Sequence, residues 1–354
     1  MAILTLVGRT HHSSKHPSGT FGTQRDHPAK SRERRASGQL DRLLSGRALS
    51  AYGMLPRQRA MHIQEGTIPF RGYHTWYRVV GEQDQLGRAP VLCLHGGPGS
   101  GHFYLEPLEA LAEDGRQVIF YDQLGCGNSD VPEDLSLHTV DLYVDEVDAV
   151  RLALGLESVH ILGHSWGGML AMQYALTQPH GLRSLILSNT GASMPQWMAE
   201  DAILLAQLPE KVQQTLKNHE SAGTTDSDEY KLAGAEFYRR HASLRVQPRP
   251  ECLKRMQGKP GEHIYKYMWG PGEWIISGTL ANWDITSQLG EIHVPTLVLV
   301  GRHDHATPAL SQTIRDGIPG AEMFVFEKSG HHAHLEETPL YLQHVKDFLR
   351  DVER

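Results

Sequence analysis

The sequence predicts an α/β protein with a mostly parallel sheet, helices on both faces of the sheet, and an inserted helical cap. From residue 61 onward, short apolar segments of strand length alternate with segments of helical periodicity, which is typical of parallel strands joined by crossover helices. The alternation stops over residues 191–284, where no strand pattern occurs, and then resumes. We therefore predict a core domain in two parts, 61–190 and 285–354, separated by a helical cap at 191–284.

Each predicted strand is a short apolar run bounded by glycine, proline or polar residues. The first strand alternates polar and apolar side chains, as a hairpin strand does. Each predicted helix has apolar side chains at the spacing of one helix face. The predicted strands are 73–79, 90–94, 117–121, 159–162, 185–187, 295–300 and 322–326, and the predicted core helices are 140–154, 169–176 and 340–352.

Composition narrows the class of protein. The chain has 354 residues, of which 40% are hydrophobic and 21% charged, as in ordinary globular proteins. Its net charge of −7 disfavours a nucleic-acid partner, and no apolar run reaches the roughly 18 residues that a membrane span needs. Three cysteines without metal-type spacing do not make a disulfide framework. We therefore expect a cytoplasmic protein.

Residues 1–60 differ from the rest of the chain. They carry eleven Lys and Arg against three Asp and Glu and are rich in Ser, Gly and His. Such a segment is predicted to be a disordered, basic N-terminal extension. It resembles an organelle transit peptide, but it lacks an amphipathic repeat. The favoured interpretation is an upstream extension, with translation beginning at Met54 or Met61.

A candidate nucleophile lies in Gly163-His-Ser165-Trp-Gly167, which fits G-x-S-x-G. The motif comes directly after a predicted strand and before a helical pattern, which is the context in which such a turn exposes a serine hydroxyl. The motif alone occurs by chance in about one chain in five of this composition, so its position carries the argument. We predict that Ser165 is the nucleophile.

A second glycine-rich loop, His95-Gly-Gly-Pro-Gly99, follows an earlier strand. Backbone N–H groups can approach a developing oxyanion only where side chains are small, and the glycines meet this condition. We predict the N–H groups of Gly97 and Trp166 as the two oxyanion donors.

The base and its orienting carboxylate are predicted at two later strand ends. Asp304 follows the strand that ends near residue 300, and His331 follows the strand that ends at residue 326. The order serine, acid, histidine is that of the α/β-hydrolase fold. His332 is an alternative base, although the Gly-His step favours His331.

A metal site is a rival hypothesis because five histidines crowd these two loops. No H-E-x-x-H or similar ligand spacing accompanies them, and the serine constellation already explains two of the residues. We therefore predict no metal and no other cofactor. The five are His303, His305, His331, His332 and His334.

Four sequence blocks resemble the proline iminopeptidases (prolyl aminopeptidases), most closely the branch of the tricorn-interacting aminopeptidase. The resemblance covers roughly residues 62–350. It implies a metal-free enzyme that removes N-terminal residues, often proline, from peptides. The blocks are His95-Gly-Gly-Pro-Gly99, Asp122-Gln-Leu-Gly-Cys-Gly-Asn-Ser129, Gly163-His-Ser-Trp-Gly-Gly168 and Trp269-Gly-Pro-Gly-Glu-Trp274.

The resemblance also implies that glutamates hold the protonated amine of the substrate, as a partly desolvated carboxylate does well. Glu273 matches the family's Gly-Pro-x-Glu block, and Glu236 is the second candidate. Leu232 stands where the closer branch carries its glutamate, one helical turn from Glu236, which puts the preference for proline in question.

Three functions remain open on the sequence alone. The first is a serine aminopeptidase acting through an acyl-enzyme on Ser165. The second keeps the triad but acts on amino-acid amides or esters. The third is a catalytically silent α/β-hydrolase that works as a binding protein, which the intact triad residues disfavour. The expected partner is a small peptide or amino-acid amide, and the sequence does not predict an oligomeric state.

Overall fold

The computed structural model describes residues 61–82, 87–242, 246 and 248–354, and the predicted extension 1–60 lies outside them. Eight strands occur in the described residues. They are β1 Ile63–Phe70, β2 Tyr73–Val80, β3 Val91–Leu94, β4 Val118–Asp122, β5 Val159–His164, β6 Leu182–Ser188, β7 Thr296–Gly301 and β8 Glu322–Phe326.

Helices connect and cover these strands. In the described part of the chain, three 3-10 helices accompany the α-helices, at Phe103–Asp114, Leu135–Leu137 and Thr286–Glu291. The α-helices are α1 Val140–Ala153, α2 Trp166–Leu176, α3 Met194–Ala206, α4 Glu210–Ala222, α5 Asp228–His241, α6 Cys252–Arg255, α7 Glu262–Met268, α8 Pro308–Gly317, α9 Ala333–Glu336 and α10 Thr338–Val352.

The eight strands form one sheet in the order β1-β2-β4-β3-β5-β6-β7-β8. The pairs β1–β2 and β2–β4 are antiparallel, and the remaining pairs are parallel. The strand order reverses at β3, which lies between β4 and β5. Ligands of open parallel sheets bind at the carboxyl ends of the strands beside such a reversal, so the loops after β3 and β5 are the expected site.

Helices cover both faces of the sheet because successive strand side chains point to opposite faces. In β3, Leu92 and Leu94 belong to the apolar core that α1 and α2 cover. Val91 and Cys93 belong to the core on the other face, which α10 and the helix Phe103–Asp114 cover. The predicted fold class, with its mostly parallel sheet and two helical layers, is confirmed.

The helices α3 to α7 lie between β6 and β7, inside the segment 191–284 that the sequence predicts as a cap. Its two ends are joined by backbone hydrogen bonds, from Met194 N to Trp283 O and from Ile285 N to Ala192 O, each 2.9 Å. Part of the cap has a small apolar core of its own, built from Leu208, Leu216, Tyr230 and Phe237. The cap is therefore an insertion that leaves and re-enters the core domain at one place.

Several elements were not predicted, β1 and α8 among them, and one begins earlier than predicted. The strand β1 contains a glycine and a proline, which edge strands tolerate, and α8 begins at Pro308. The helix α2 begins at Trp166, three residues before the predicted start. The prediction begins too late because Gly167 and Gly168 have low helix propensity. No helix in the described part of the chain combines the length and apolar character needed to cross a membrane.

Candidate active site

Ser165 lies in the sharp turn between β5 and α2. Its backbone angles, φ 57° and ψ −125°, are unusual for a residue with a side chain. The flanking glycines make this turn possible. A Cβ on Gly163 would lie 2.2 Å from the carbonyl oxygen of Gly167, and a Cβ on Gly167 would lie 2.1 Å from that of Leu94. The turn thus brings the serine against the end of β3.

The backbone N–H groups of Gly97 and Trp166, predicted as the oxyanion donors, have no acceptor among the described residues. Trp166 is the first residue of α2, where no intrahelical acceptor exists. The neighbouring Gly96 N–H is already used, because it donates to the hydroxyl of Tyr104 at 2.7 Å. The structure thus leaves both predicted donors free to bind an oxyanion, and their assignment stays a prediction.

The two donor loops are joined by the side chain of Gln123, which follows β4. Its Oε1 accepts a hydrogen bond from the indole Nε1 of Trp166 at 2.8 Å, and its Nε2 donates to the carbonyl of His95 at 3.1 Å. Both contacts are buried. Gln123 therefore fixes the spacing between the loop after β3 and the start of α2.

Asp304 and His331 meet at the carboxyl ends of β7 and β8. His331 Nδ1 lies 2.8 Å from Asp304 Oδ1, and the other carboxylate oxygen accepts from Asn189 Nδ2 at 2.7 Å. The Ala306 N–H donates to Oδ1 as well, at 2.9 Å. These bonds fix the carboxylate, which in turn holds Nδ1 of His331 and leaves Nε2 as the basic nitrogen.

Burial sets the protonation of this pair. It raises the pKa of Asp304 to about 6, against the opposing effects of His305 and of the hydrogen bonds to the carboxylate. Burial, together with the positive charge of His305, lowers the pKa of His331 well below its ordinary value. His331 is thus neutral at pH 7, which is the state a general base needs.

His164, the residue before the serine, joins the turn of Ser165 to the loop of His331. His164 Nε2 lies 2.7 Å from the carbonyl oxygen of His331. Among the described residues, the Ser165 hydroxyl has no hydrogen bond to His331. Catalytic hydrogen bonds of this kind are often long without substrate and shorten when substrate binds.

The alternative base, His332, does not contact the carboxylate in the same way. Asp304 Oδ1 pairs with His331, whereas His332 Nδ1 has no hydrogen-bond partner among the described residues. The geometry therefore favours His331.

The metal hypothesis concerns the same loops. Asp304, His305 and His331 each have one potential ligand atom within 4.8 Å of the others. Two of them are already hydrogen-bonded to each other, as a carboxylate and imidazole of a catalytic triad are. We therefore keep the prediction that these groups work without a metal.

Glu273 lies in the cap loop after α7, close to this triad. Its backbone is held on two sides, since its carbonyl accepts from Trp269 Nε1 at 3.0 Å and its N–H points to Tyr238 Oη at 3.5 Å. Its carboxylate Oε2 lies 3.8 Å from Nε2 of His305. The His305 ring in turn lies 4.6 Å from that of His331, so the predicted amine anchor faces the catalytic base across one imidazole.

A second carboxylate, Asp201 of α3, lies on the other side of His305 and was missed by sequence reasoning. Its Oδ1 is 3.7 Å from His305 Nδ1, and the residue is only 1% exposed. Burial raises its pKa to about 6. One signal was available in the sequence, because Asp201 follows Met194 and Trp197 at the spacing of the buried face of α3.

The structure gives Glu236 a different environment from the one predicted. Its carboxylate accepts hydrogen bonds from Arg239 at 2.8 Å and from Arg240 at 2.7 Å, both on the same helix, α5. The Arg239 hydrogen bond, followed by that of Arg240, lowers its pKa to about 2. A carboxylate paired with two guanidinium groups is a poor acceptor for a substrate amine, so Asp201 replaces Glu236 as the candidate partner of Glu273.

Comparison with known proteins places this site in a family. The family model described as alpha/beta hydrolase fold matches residues 89–338. The chain is therefore an α/β hydrolase.

Relatives and solved structures narrow the family. The chain is 43% identical to a proline iminopeptidase of Heyndrickxia coagulans over 289 residues, which are 81% of this chain and 99% of the relative. It is 40% identical to one of Lactobacillus helveticus, over 82% of this chain and 98% of the relative.

The solved structures agree. A proline iminopeptidase of Mycobacterium smegmatis superposes with a TM-score of 0.75 at 41% identity, over 82% of this chain and 98% of the other. The crystal structure of VinJ superposes with a TM-score of 0.77 at 42% identity, over 82% and 99%. The chain belongs to the proline iminopeptidase family.

Proposed function

We propose that this hydrolase is a serine aminopeptidase that releases the N-terminal residue, preferably proline, from small peptides. One observation carries the proposal. A buried carboxylate, that of Asp201, and a partly buried one, that of Glu273, lie on either side of His305, whose ring is 4.6 Å from that of the proposed base His331. A terminal ammonium group held there would place the first peptide bond near Ser165.

The proposed chemistry uses the groups already described. The Ser165 hydroxyl attacks the carbonyl carbon of the first residue while His331 takes its proton, and Asp304 stabilises the imidazolium. The oxyanion is stabilised by Gly97 N–H and Trp166 N–H, and one such donor is worth about 3 kcal/mol. His331 then protonates the leaving amine, and water releases the first residue from the acyl-enzyme.

Several finer points are part of the same proposal. The proline preference follows the names of the relatives. Amino-acid amides share the free amine and are expected to be substrates as well, whereas nucleic acids and membranes are not expected partners. Three free, buried cysteines support a cytoplasmic location. The likeness to the tricorn-interacting branch stays a prediction.

The test is a panel of aminoacyl-naphthylamides, amino-acid amides and a simple acetate ester, assayed with wild type, Ser165→Ala and Glu273→Gln. Ser165→Ala is expected to lose all turnover, and a fluorophosphonate probe is expected to label wild type but not this variant. Glu273→Gln is expected to lower kcat/KM at least tenfold for substrates with a free amine and to leave the acetate ester unchanged. Turnover of simple esters without any aminoacyl substrate would exclude a peptidase.

A further inference from the structure

His305 follows the triad aspartate in the chain and is almost completely buried, at 1% exposure. Each of its ring nitrogens faces a carboxylate, Nδ1 at 3.7 Å from Asp201 and Nε2 at 3.8 Å from Glu273. These distances are longer than hydrogen bonds. Both carboxylate oxygens of Asp201 and the Nε2 of His305 have no hydrogen-bond partner among the described residues. Buried groups of this kind are rarely left unpaired, so the cluster is prepared for another polar group.

A third contact of His305 favours a different protonation state. The indole Nε1 of Trp197 lies 3.3 Å from His305 Nδ1. An indole nitrogen only donates, so this contact requires an unprotonated Nδ1. The two carboxylates instead favour an imidazolium with both nitrogens protonated. The pocket thus offers His305 a partner in its charged state and another in its neutral state.

The balance of charge decides which state the free enzyme adopts. Burial lowers the pKa of His305, but the carboxylates of Asp201, Glu273 and Asp304 outweigh it and raise the pKa to about 9. His305 is therefore a cation at pH 7 when no substrate is bound. One positive charge then faces the two carboxylates that the proposed function gives to the substrate amine.

We propose that His305 determines specificity by supplying, as an imidazolium, the positive charge that a substrate ammonium otherwise brings to Asp201 and Glu273, and that such a substrate binds with release of one proton from His305. This inference rests on the proposed function. The exchange keeps the local charge balance, because one cation replaces another. The neutral imidazole that remains accepts the Trp197 N–H. A substrate without an ammonium group leaves His305 charged.

Other titratable groups surround His305, and none of them reverses the direction of the proton release. Asp304, adjacent in the chain, favours the imidazolium, whereas the neighbouring histidines are held neutral by burial. The groups that face His305 or its two carboxylates are Asp201 of α3, Tyr238 and His241 of α5, Tyr265 of α7, Glu273 of the cap loop, Asp304 after β7, His331 and His332 after β8, and His164 at the end of β5.

The experiment measures proton release directly. L-Prolinamide, which is protonated at pH 6.5, is titrated calorimetrically into Ser165→Ala enzyme in two buffers with different ionisation enthalpies. We expect about one proton released for each prolinamide bound, and a Kd that falls about tenfold between pH 6.5 and pH 7.5. With His305→Gln added, we expect almost no release and less than a twofold change of Kd. His303→Gln, an exposed neighbour with the same substitution, is expected to behave as the parent.

The outcomes separate the inference from the proposed function. If prolinamide binds to the Ser165→Ala parent without proton release, the role of His305 is overturned and the proposed aminopeptidase function is unaffected. This measurement does not depend on whether a His305 variant folds. Equal release with and without His305 also overturns it. If prolinamide does not bind and wild type cleaves no aminoacyl-naphthylamide, both the proposed function and the inference are overturned.

Discussion

The hydroxyl of Tyr104 lies 2.9 Å from Nδ1 of His164, and this contact joins the oxyanion loop to the catalytic base. The direction of each hydrogen bond follows from its neighbours. His164 Nε2 faces the His331 carbonyl and must donate, so Nδ1 accepts from Tyr104. The Tyr104 oxygen in turn accepts the Gly96 N–H. One buried chain of hydrogen bonds therefore runs from the loop after β3, beneath Ser165, to His331.

Replacing Tyr104 by Phe breaks this chain at its centre. We expect kcat to fall about tenfold with little change of KM. The oxyanion donors and the base would be displaced, and they interact with the substrate mainly in the transition state. The buried Gly96 N–H also loses its acceptor, which costs about 1–3 kcal/mol of unfolding free energy. Steady-state kinetics and thermal unfolding measure the two effects.

The matched control is Tyr121→Phe, since Tyr121 is buried in β4 and its hydroxyl has no hydrogen bond among the described residues. That variant is expected to keep wild-type kcat. Equal kcat values for the two variants would show that the Tyr104 hydroxyl does not position the site.

Gln123 offers a second test of positioning. The substitution Gln123→Met keeps the approximate size of the side chain but loses the hydrogen bonds to Trp166 and His95. We expect kcat to fall about tenfold, since oxyanion donors act in the transition state. Trp166→Phe removes only the indole donor of the same contact. The double variant is expected to lose less than the product of the single effects, and strictly multiplicative losses would argue against a shared role.

Asp201 is expected to act on the substrate amine. Asp201→Asn should lower kcat/KM for aminoacyl-naphthylamides at least tenfold, and an acetate ester should be unaffected. Glu236→Gln is the control, because its carboxylate is paired with Arg239 and Arg240, and we expect less than a twofold change. A larger effect of Glu236→Gln than of Asp201→Asn would restore Glu236 as the second anchor.

The raised pKa of Asp201 also predicts a pH dependence. Its carboxylate takes up a proton as the pH falls through about 6, and the attraction for an ammonium group is lost on that side. We expect kcat/KM for aminoacyl substrates to fall below pH 6 more steeply than kcat/KM for the acetate ester. If kcat/KM falls equally with pH for the two substrates, the decrease below pH 6 would be due to a group that both reactions use, such as Asp304.

Glu146 predicts a pH dependence of stability instead. It is fully buried in α1, and its Oε1 accepts from Thr75 Oγ1 and from Leu124 N. Burial raises its pKa to about 8. The folded state therefore binds a proton that the unfolded state has lost between pH 4.5 and pH 8, so stability falls as the pH rises through that range.

Glu146→Gln keeps the side-chain shape without the proton. We expect the Tm of wild type to fall between pH 6 and pH 8.5, and the Tm of the variant to fall less. Thermal unfolding at the two pH values measures this, and equal slopes for both proteins would mean that Glu146 is ionised in the folded state.

Much of the fold and part of the site followed from local sequence. A strand, a glycine-flanked turn and a helix are adjacent in the chain around Ser165, so their pattern is visible without tertiary information. The same holds for Asp304 and His331, because each lies in the loop after a predicted strand and parallel strands end at one edge of the sheet. The structure places Nδ1 of His331 2.8 Å from Oδ1 of Asp304.

The surroundings of the amine were decided by tertiary structure alone. The sequence singled out Glu236 as a cap carboxylate, but its own helix supplies two arginines that pair with it. Asp201 and His305 are separated by about a hundred residues, and only the folding of α3 against the loop after β7 brings them together. Their pKa shifts arise from burial and from each other's charge, and both depend on distances between segments that no local pattern contains.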